Sequence, residues 1–80
     1  MADQVLIVDD DPAICKLLEK VMRSNDMDSQ AVGSGEQALQ ALEARTFDII
    51  LLDVNLGDME GFEVLRRLRK ESQIPVIMLT

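Results

Sequence analysis

Eighty residues are enough for one small domain, and a chain of this size buries only roughly 60% of the surface that its unfolded form exposes. The composition, 48% hydrophobic and 29% charged, is that of a globular protein, and a net charge of −7 argues against the basic surfaces that bind nucleic acid or anionic membranes. The single cysteine excludes an internal disulfide, and no apolar run approaches the roughly 20 residues of a membrane span, so we expect a cytoplasmic protein.

The N-terminal part of the chain predicts a buried strand followed by a helix. Residues 5–8 are a continuous apolar run, which is typical of a strand buried on both faces of a parallel sheet. Asp11 can accept hydrogen bonds from the first free N–H groups of a helix, and Pro12 suits the first helical position. We therefore expect a helix from Pro12 to about Asn25. Its apolar face consists of Ile14, Leu17, Leu18, Val21 and Met22.

A weaker strand and a second helix come next. Residues 30–32 predict the strand, and glycines at 33 and 35 interrupt the pattern after it. Ser34 and Gln37 stand three positions apart, which is the signature of a capping box at the start of a helix. The apolar residues of this second helix are Ala38, Leu39, Ala41 and Leu42.

The second half of the chain continues the alternation. Residues 49–52 predict a third buried strand, and a polar, glycine-containing loop follows over residues 54–60. A third helix comes after this loop, and residues 76–79 predict a fourth buried strand. The inward positions expected on the third helix are Phe62, Leu65 and Leu68.

The order of these elements predicts an α/β fold with a chemically distinctive edge. Short connections and right-handed crossovers give a parallel sheet with helices on both faces, and such sheets bind ligands at the carboxyl ends of their strands. The strands end there in Asp9 and Asp10, in Asp53 and in Thr80. Clustered carboxylates repel one another unless a cation holds them or some take up protons. Oxygen ligands of this kind suit Mg²⁺, so the sequence predicts a magnesium site.

Each of these aspartates alone has a simpler explanation, because aspartates commonly end strands and cap helices. We assign only the capping role to Asp11. The convergence of several carboxylates at one edge favours a site over separate structural roles. We interpret Cys15 as a structural residue rather than a redox sensor, since nothing beside it in the sequence indicates an activated thiol.

Three segments resemble the receiver domains of two-component response regulators. They are Val-Asp-Asp-Asp-Pro after the first strand, Leu-Leu-Asp-Val-Asn-Leu through Met-Glu-Gly around the third, and Ile-Pro-Val-Ile-Met-Leu-Thr at the fourth. They occur in the right order and at the right spacing, and the resemblance covers the whole chain. It implies the flavodoxin-like receiver fold and a phosphoacceptor switch in two-component signalling.

The resemblance also implies a role for individual residues. Asp10 matches the direct acidic ligand of Mg²⁺, and Asp9 matches the carboxylate that supports it, largely through water. Asp53 matches the phosphoacceptor, which is also a metal ligand, and Asn55 matches the position whose backbone carbonyl completes the coordination. Thr80 matches the switch hydroxyl. The implied phosphoryl donor is a histidine kinase or a phosphotransfer protein.

The family pattern continues beyond Thr80 with a fourth helix, a fifth strand and a fifth helix. The resemblance therefore implies that residues 1–80 are a receiver domain truncated at its C-terminus, without the last α-β-α segment and the strand-five lysine. The fourth strand would then be an exposed apolar edge. We expect association through that edge, as a homodimer or an aggregate.

Three functions are consistent with the sequence. The first is a signalling switch in which phosphorylation of Asp53 alters the binding of an output or partner protein. The second is an inactive receiver fragment that folds by self-association. The third is a Mg²⁺-dependent enzyme acting on small phosphorylated molecules; it is the weakest, because 80 residues leave little room for a substrate pocket and no histidine is present. We therefore expect no enzymatic activity and no contact of this segment with nucleic acid or membrane.

Overall fold

Four parallel strands form one sheet in the computed structural model, which describes residues 3–79. Strands and helices alternate along the chain in the predicted order. The strands, in the sheet order β2-β1-β3-β4, are β1 (Gln4–Val8), β2 (Asp28–Val32), β3 (Ile49–Asp53) and β4 (Val76–Leu79). The helices are α1 (Pro12–Ser24), α2 (Gly35–Ala44) and α3 (Gly61–Leu68).

Both faces of the two central strands are buried, which explains their continuous apolar sequence. Leu6 of β1 and Ile50 of β3 face the core that α2 and α3 cover. Val5 of β1 and Leu51 of β3 face the opposite core, which α1 covers. Helices therefore lie on both faces of the sheet, as predicted for a doubly covered parallel sheet.

Helix α1 has the predicted bounds but a different buried side. The Asp11 side chain accepts a hydrogen bond from the Ala13 N–H at 2.9 Å, and the helix ends at Ser24. Its buried residue is Cys15, beside the partly buried Leu18 and Met22. Three residues of the predicted apolar face are instead exposed, by 37%, 57% and 42%: Ile14, Leu17 and Val21. The apolar stripe is wider than the contact that α1 makes over β1 and β2.

On the other face of the sheet, the predicted cap of α2 is confirmed but the predicted inward face of α3 is partly wrong. The Ser34 hydroxyl accepts from the Gln37 N–H at the start of α2, as the capping signature predicts. In α3, however, the prediction that Phe62 faces inward was wrong, since its exposed fraction is 55%. The buried residues of α3 are Gly61, Val64 and Leu68, because the close seat of Gly61 on the end of β3 sets the rotation of the helix.

No helix within residues 3–79 combines the length and the hydropathy that crossing a lipid bilayer requires.

Candidate metal centre

The strand register places two aspartates side by side at the carboxyl edge of the sheet. Val8 of β1 pairs with Leu52 of β3, so the next residues, Asp9 and Asp53, are neighbours. The Asp9 N–H donates to the carbonyl of Val32 at 3.2 Å and so extends the pairing of β1 with β2 by one residue. The backbone of the sheet, rather than a flexible loop, therefore positions both carboxylates.

Three carboxylates converge at this edge. One carboxylate oxygen each of Asp9, Asp10 and Asp53 lies within 4.8 Å of the other two. Asp9 is buried, Asp53 is partly buried and Asp10 is exposed, so the cluster runs from the interior of the protein to solvent. The structure thus brings together the three acidic residues predicted from the sequence.

The electrostatics of the cluster favour a bound cation. Burial raises the pKa of Asp9, and the negative charges of Asp53 and Asp10 add to this, while a hydrogen bond from the Asp11 N–H at 2.9 Å opposes it. Within residues 3–79, the ion pairs formed by arginine or lysine involve only Glu63 on α3. No protein cation in the described chain therefore neutralises the cluster. Closely spaced carboxylate oxygens of this kind fit a hard divalent ion such as Mg²⁺.

The backbone carbonyl of Asn55, next to the cluster in the chain, is without a hydrogen-bond partner among the described residues. The hydrogen bonds on either side of it are made by its neighbours: the Leu56 N–H donates to the Met59 carbonyl at 3.2 Å, and the Val54 carbonyl accepts from the Gly61 N–H at 2.7 Å. The Asn55 N–H donates to Asp53 Oδ1 at 3.3 Å.

Two glycines allow the backbone to close around the end of β3. A Cβ atom on Gly61 would lie 2.1 Å from the carbonyl oxygen of Asp53, so only glycine permits this approach. Gly57 has a φ of 82°, a left-handed conformation that side chains with a Cβ rarely adopt. The close approach at Gly61 and the left-handed turn at Gly57 together set the path of the loop after β3.

The predicted site residues have different outcomes. Asp9, Asp10 and Asp53 lie together, and Asn55 is in the turn directly after them. Thr80, the predicted switch hydroxyl, lies outside the described residues. Cys15 is buried and its thiol donates to the carbonyl of Asp9 at 3.3 Å. Burial raises the pKa of that thiol, with the negative charge of Asp9 adding to it, which supports the structural interpretation.

One contact beside the site was missed at the level of sequence. Asp58, in the loop after β3, accepts hydrogen bonds from the N–H groups of Gly35 and Glu36 at the start of α2. These partners are more than twenty positions away, and short-range patterns carry no signal for such a pairing. Leu56 was likewise missed, because a single apolar residue in a polar loop does not indicate burial.

A model of the family described as "Response regulator receiver domain" matches residues 5–80. The chain belongs to the response-regulator receiver family. This match covers the acidic cluster and, except for Gln4, all four strands, and it confirms the resemblance noted in the sequence.

Relatives of known name agree with this assignment. The DNA-binding response regulator MtrA of Mycolicibacterium smegmatis is 41% identical over 80 residues, which are 100% of this chain and 35% of that protein. The two-component response regulator ORR26 of Oryza sativa subsp. japonica is 42% identical over 79 residues, which are 96% of this chain and 14% of that protein. The chain thus spans about a third or less of the length of these curated relatives.

Solved receiver structures have the same fold. A CheY-like receiver domain from Methylobacillus flagellatus superposes with a TM-score of 0.92 at 27% identity, covering 98% of this chain and 69% of that one. The receiver domain of sensor histidine kinase PA1611 from Pseudomonas aeruginosa superposes with a TM-score of 0.93 at 29% identity, covering 100% of this chain and 68% of that one. That second structure has a magnesium ion coordinated in its active-site cleft.

Proposed function

We propose that this receiver domain is a Mg²⁺-dependent phosphoacceptor switch whose acceptor is Asp53. The observation that carries the proposal is the convergence of Asp9, Asp10 and Asp53 within 4.8 Å, with no protein cation paired to them in residues 3–79. The carbonyl of Asn55, free of other partners in the described chain, would complete the protein's share of the metal ligands. The magnesium ion in the cleft of the PA1611 receiver domain supports this choice of ion.

The proposed reaction is phosphoryl transfer from a phosphohistidine of a partner kinase or phosphotransfer protein. The Asn55 N–H holds Oδ1 of Asp53, which leaves Oδ2 without a hydrogen bond from the described residues and free to attack phosphorus. An O–P bond forms as the P–N bond breaks, and the electron pair of that bond stays on the imidazole nitrogen, which takes up a proton. Bound Mg²⁺ would screen the negative charge of the acceptor and of the phosphoryl oxygens.

The product would place an acyl phosphate at the exposed edge of the sheet. Phosphorylation adds charge and strong acceptor oxygens, which a nearby hydroxyl donor can sense. Thr80 follows β4 and remains the predicted donor. We infer that the output is altered partner binding in the cytoplasm rather than turnover of a separate substrate, and that this acidic segment contacts no nucleic acid or membrane itself.

Intact-mass spectrometry after incubation with Mg²⁺ and acetyl phosphate tests the proposal. We expect one phosphoryl adduct on the wild-type chain, none on Asp53→Asn, and none when EDTA is present. Asp11→Asn is the matched control, because it removes a carboxylate at the same edge but outside the cluster and asparagine still caps a helix. A folded wild-type chain that gains no adduct, or an adduct that persists in Asp53→Asn, would refute the proposal.

We also propose that two copies of this chain associate through β4. This strand is at one edge of the sheet, with Ile77 exposed by 49%, and on the same face Ile14 and Leu17 of α1 are exposed. Two identical edge strands related by a two-fold axis would satisfy each other's free donors and acceptors. Light scattering should show a dimer that Ile77→Lys dissociates and Phe62→Lys, at another exposed apolar position, leaves intact. A wild-type monomer at all concentrations would contradict the proposal.

A further inference from the structure

The loop that carries Asn55 is closed at its base by backbone hydrogen bonds, and its tip makes two short-range bonds of its own: the Gly57 N–H donates to Asn55 Oδ1 at 3.4 Å, and the Asp58 N–H donates to the Leu56 carbonyl at 2.9 Å. The base is closed by the Gly61 N–H, which donates to Val54, and by the Leu56 N–H, which donates to Met59. Leu56 is almost completely buried and fixes this part of the loop to the core. The tip consists of Gly57 and Asp58, both exposed.

Asp58 joins this tip to the first turn of α2. Its Oδ1 accepts from the Gly35 N–H at 2.9 Å, and its Oδ2 accepts from the Glu36 N–H at 3.0 Å. These two N–H groups have no partner inside the helix. The hydroxyl of Ser34 serves only the next one, the Gln37 N–H, at 3.1 Å. One carboxylate from a remote loop therefore completes the cap that the local sequence leaves unfinished.

Packing beside the tip also brings this loop against the start of α2. A Cβ atom on Gly35 would lie 2.4 Å from Cγ of Met59 and 3.0 Å from Cγ2 of Val64. The absence of a side chain at Gly35 thus lets Met59 lie directly on the helix start. The two hydrogen bonds also lower the pKa of Asp58, so this carboxylate is ionised and held at the helix N-terminus over the neutral pH range.

The position of Asp58 also affects the electrostatic environment of the acidic cluster. A Cβ atom on Gly57 would lie 3.8 Å from Oδ2 of Asp10, so the loop tip runs directly beside the cluster. A carboxylate released from α2 at this point would be a fourth negative charge near the three carboxylates that are the proposed metal ligands. Held by α2, its charge is matched by N–H donors instead.

We propose that Asp58 is a positioning residue for the metal centre: by fixing the loop to α2, it holds the carbonyl of Asn55 in place for Mg²⁺. This inference rests on the proposed function, since it concerns the affinity of the same site for its ion. It predicts that the contact between Asp58 and α2 contributes to metal binding separately from its contribution to folding.

Magnesium affinity measured by isothermal titration calorimetry tests this, on variants that are folded at the temperature used. We expect Asp58→Ala to weaken Mg²⁺ binding by roughly tenfold, the lower end of the range for residues that support metal ligands. Asp58→Asn, which keeps one acceptor oxygen, should fall between Asp58→Ala and wild type. Amide hydrogen exchange at Gly35 and Glu36, followed in EDTA, should become faster in Asp58→Ala.

Two control variants separate positioning from general stability and from charge. Ser34→Ala removes the other cap of α2 without touching the loop, so the unfolding midpoint in EDTA should fall while the Mg²⁺ dissociation constant stays unchanged. Glu60→Gln removes a negative charge from the same loop at a residue that makes no capping hydrogen bond, and it should leave the affinity unchanged.

The outcomes distinguish this inference from the proposed function. If wild type binds Mg²⁺, Asp53→Asn does not, and Asp58→Ala binds like wild type, Asp58 is only a helix cap and the inference fails while the proposed function stands. Equal losses of affinity in Asp58→Ala and Ser34→Ala would also overturn it, since they would reflect stability alone. No Mg²⁺ binding by the folded wild-type chain would overturn both.

Discussion

The two ends of the sheet both carry aspartates, but the surroundings of these carboxylates differ. At the amino end, Asp48 accepts a hydrogen bond from the Gln4 N–H at 2.7 Å, and Asp28 accepts from the Gln4 side chain at 3.1 Å. Arg45 lies at the same end and donates to the side chain of Gln30 at 3.2 Å and to that of Gln4. At the carboxyl end, Asp9, Asp10 and Asp53 face one another instead.

The difference shows what separates a structural carboxylate from a functional one. At the amino end, Asp48 and Asp28 each accept from Gln4 and neither belongs to a cluster of three acidic groups within the described residues, so their negative charges need no ligand. Carboxylates that converge without a protein cation raise the free energy of the folded state, and burial raises the pKa of Asp9 in that setting. Such an arrangement becomes favourable when a cation is bound, which is the basis of the proposed function.

The largest loss of stability is expected at Gly61, where the backbone of the loop lies closest to the end of β3. Gly61→Ala places a Cβ 2.1 Å from the Asp53 carbonyl and should destabilise the fold by about 3 kcal/mol, the upper part of the range for overpacking. Gly33→Ala is the control, because its nearest neighbour would be 3.8 Å away, and stability should change by less than about 0.5 kcal/mol. Urea denaturation measures both. Equal stability of the two variants would show that the end of β3 tolerates displacement.

The second effect is a gain of stability on removing a charged side chain. In EDTA, Asp9→Asn should raise the unfolding midpoint at neutral pH by several degrees, because it removes a buried charge that faces two others yet keeps an acceptor for the Asp11 N–H. A carboxyl whose folded pKa is raised loses stability as pH rises through that pKa, so the advantage should vanish below about pH 4 and grow above it. Saturating Mg²⁺ should stabilise wild type more than the variant. A variant less stable than wild type in EDTA at pH 7 would contradict this account.

The smallest effect is expected at the amino end. Asp48→Ala removes the acceptor of the Gln4 N–H and should lower stability by about 0.5–1 kcal/mol, the ordinary value of one exposed hydrogen bond. Affinity for Mg²⁺ should not change, since the residue is at the opposite end of the sheet. Thermal denaturation in EDTA and a Mg²⁺ titration of the same sample measure the two quantities. A change in Mg²⁺ affinity would contradict the assignment of metal binding to the carboxyl end of the sheet alone.

Most of the fold could be predicted from the sequence because its signals are local. The apolar runs of β1 and β3, and the caps at Asp11 and Ser34, depend on neighbouring residues, and all are confirmed. Errors arose where tertiary contacts decide. Which apolar residues of α1 are buried depends on how far the helix overlaps the sheet, and the outward direction of Phe62 depends on the seat of Gly61.

The acidic cluster was predictable for a related reason. In a parallel sheet the carboxyl ends of neighbouring strands meet, so the positions of Asp9 and Asp53 at strand ends imply their proximity. The contact of Asp58 with α2 was not predictable, because it depends on the path of a loop whose left-handed residue, Gly57, sets its direction. Spacing along the chain contains no signal for that path.

The most direct test of the central claim is a Mg²⁺ titration of the folded chain followed by NMR. We predict one binding site, with shifts concentrated at residues 9–10 and 53–55 and absent at Gln4 and Asp48. Asp53→Asn and Asp10→Asn should lose this binding, and Asp48→Asn should keep it. If the shifts are spread over both ends of the sheet, or if Asp10→Asn and Asp48→Asn weaken binding equally, the carboxyl-end cluster is not a metal site.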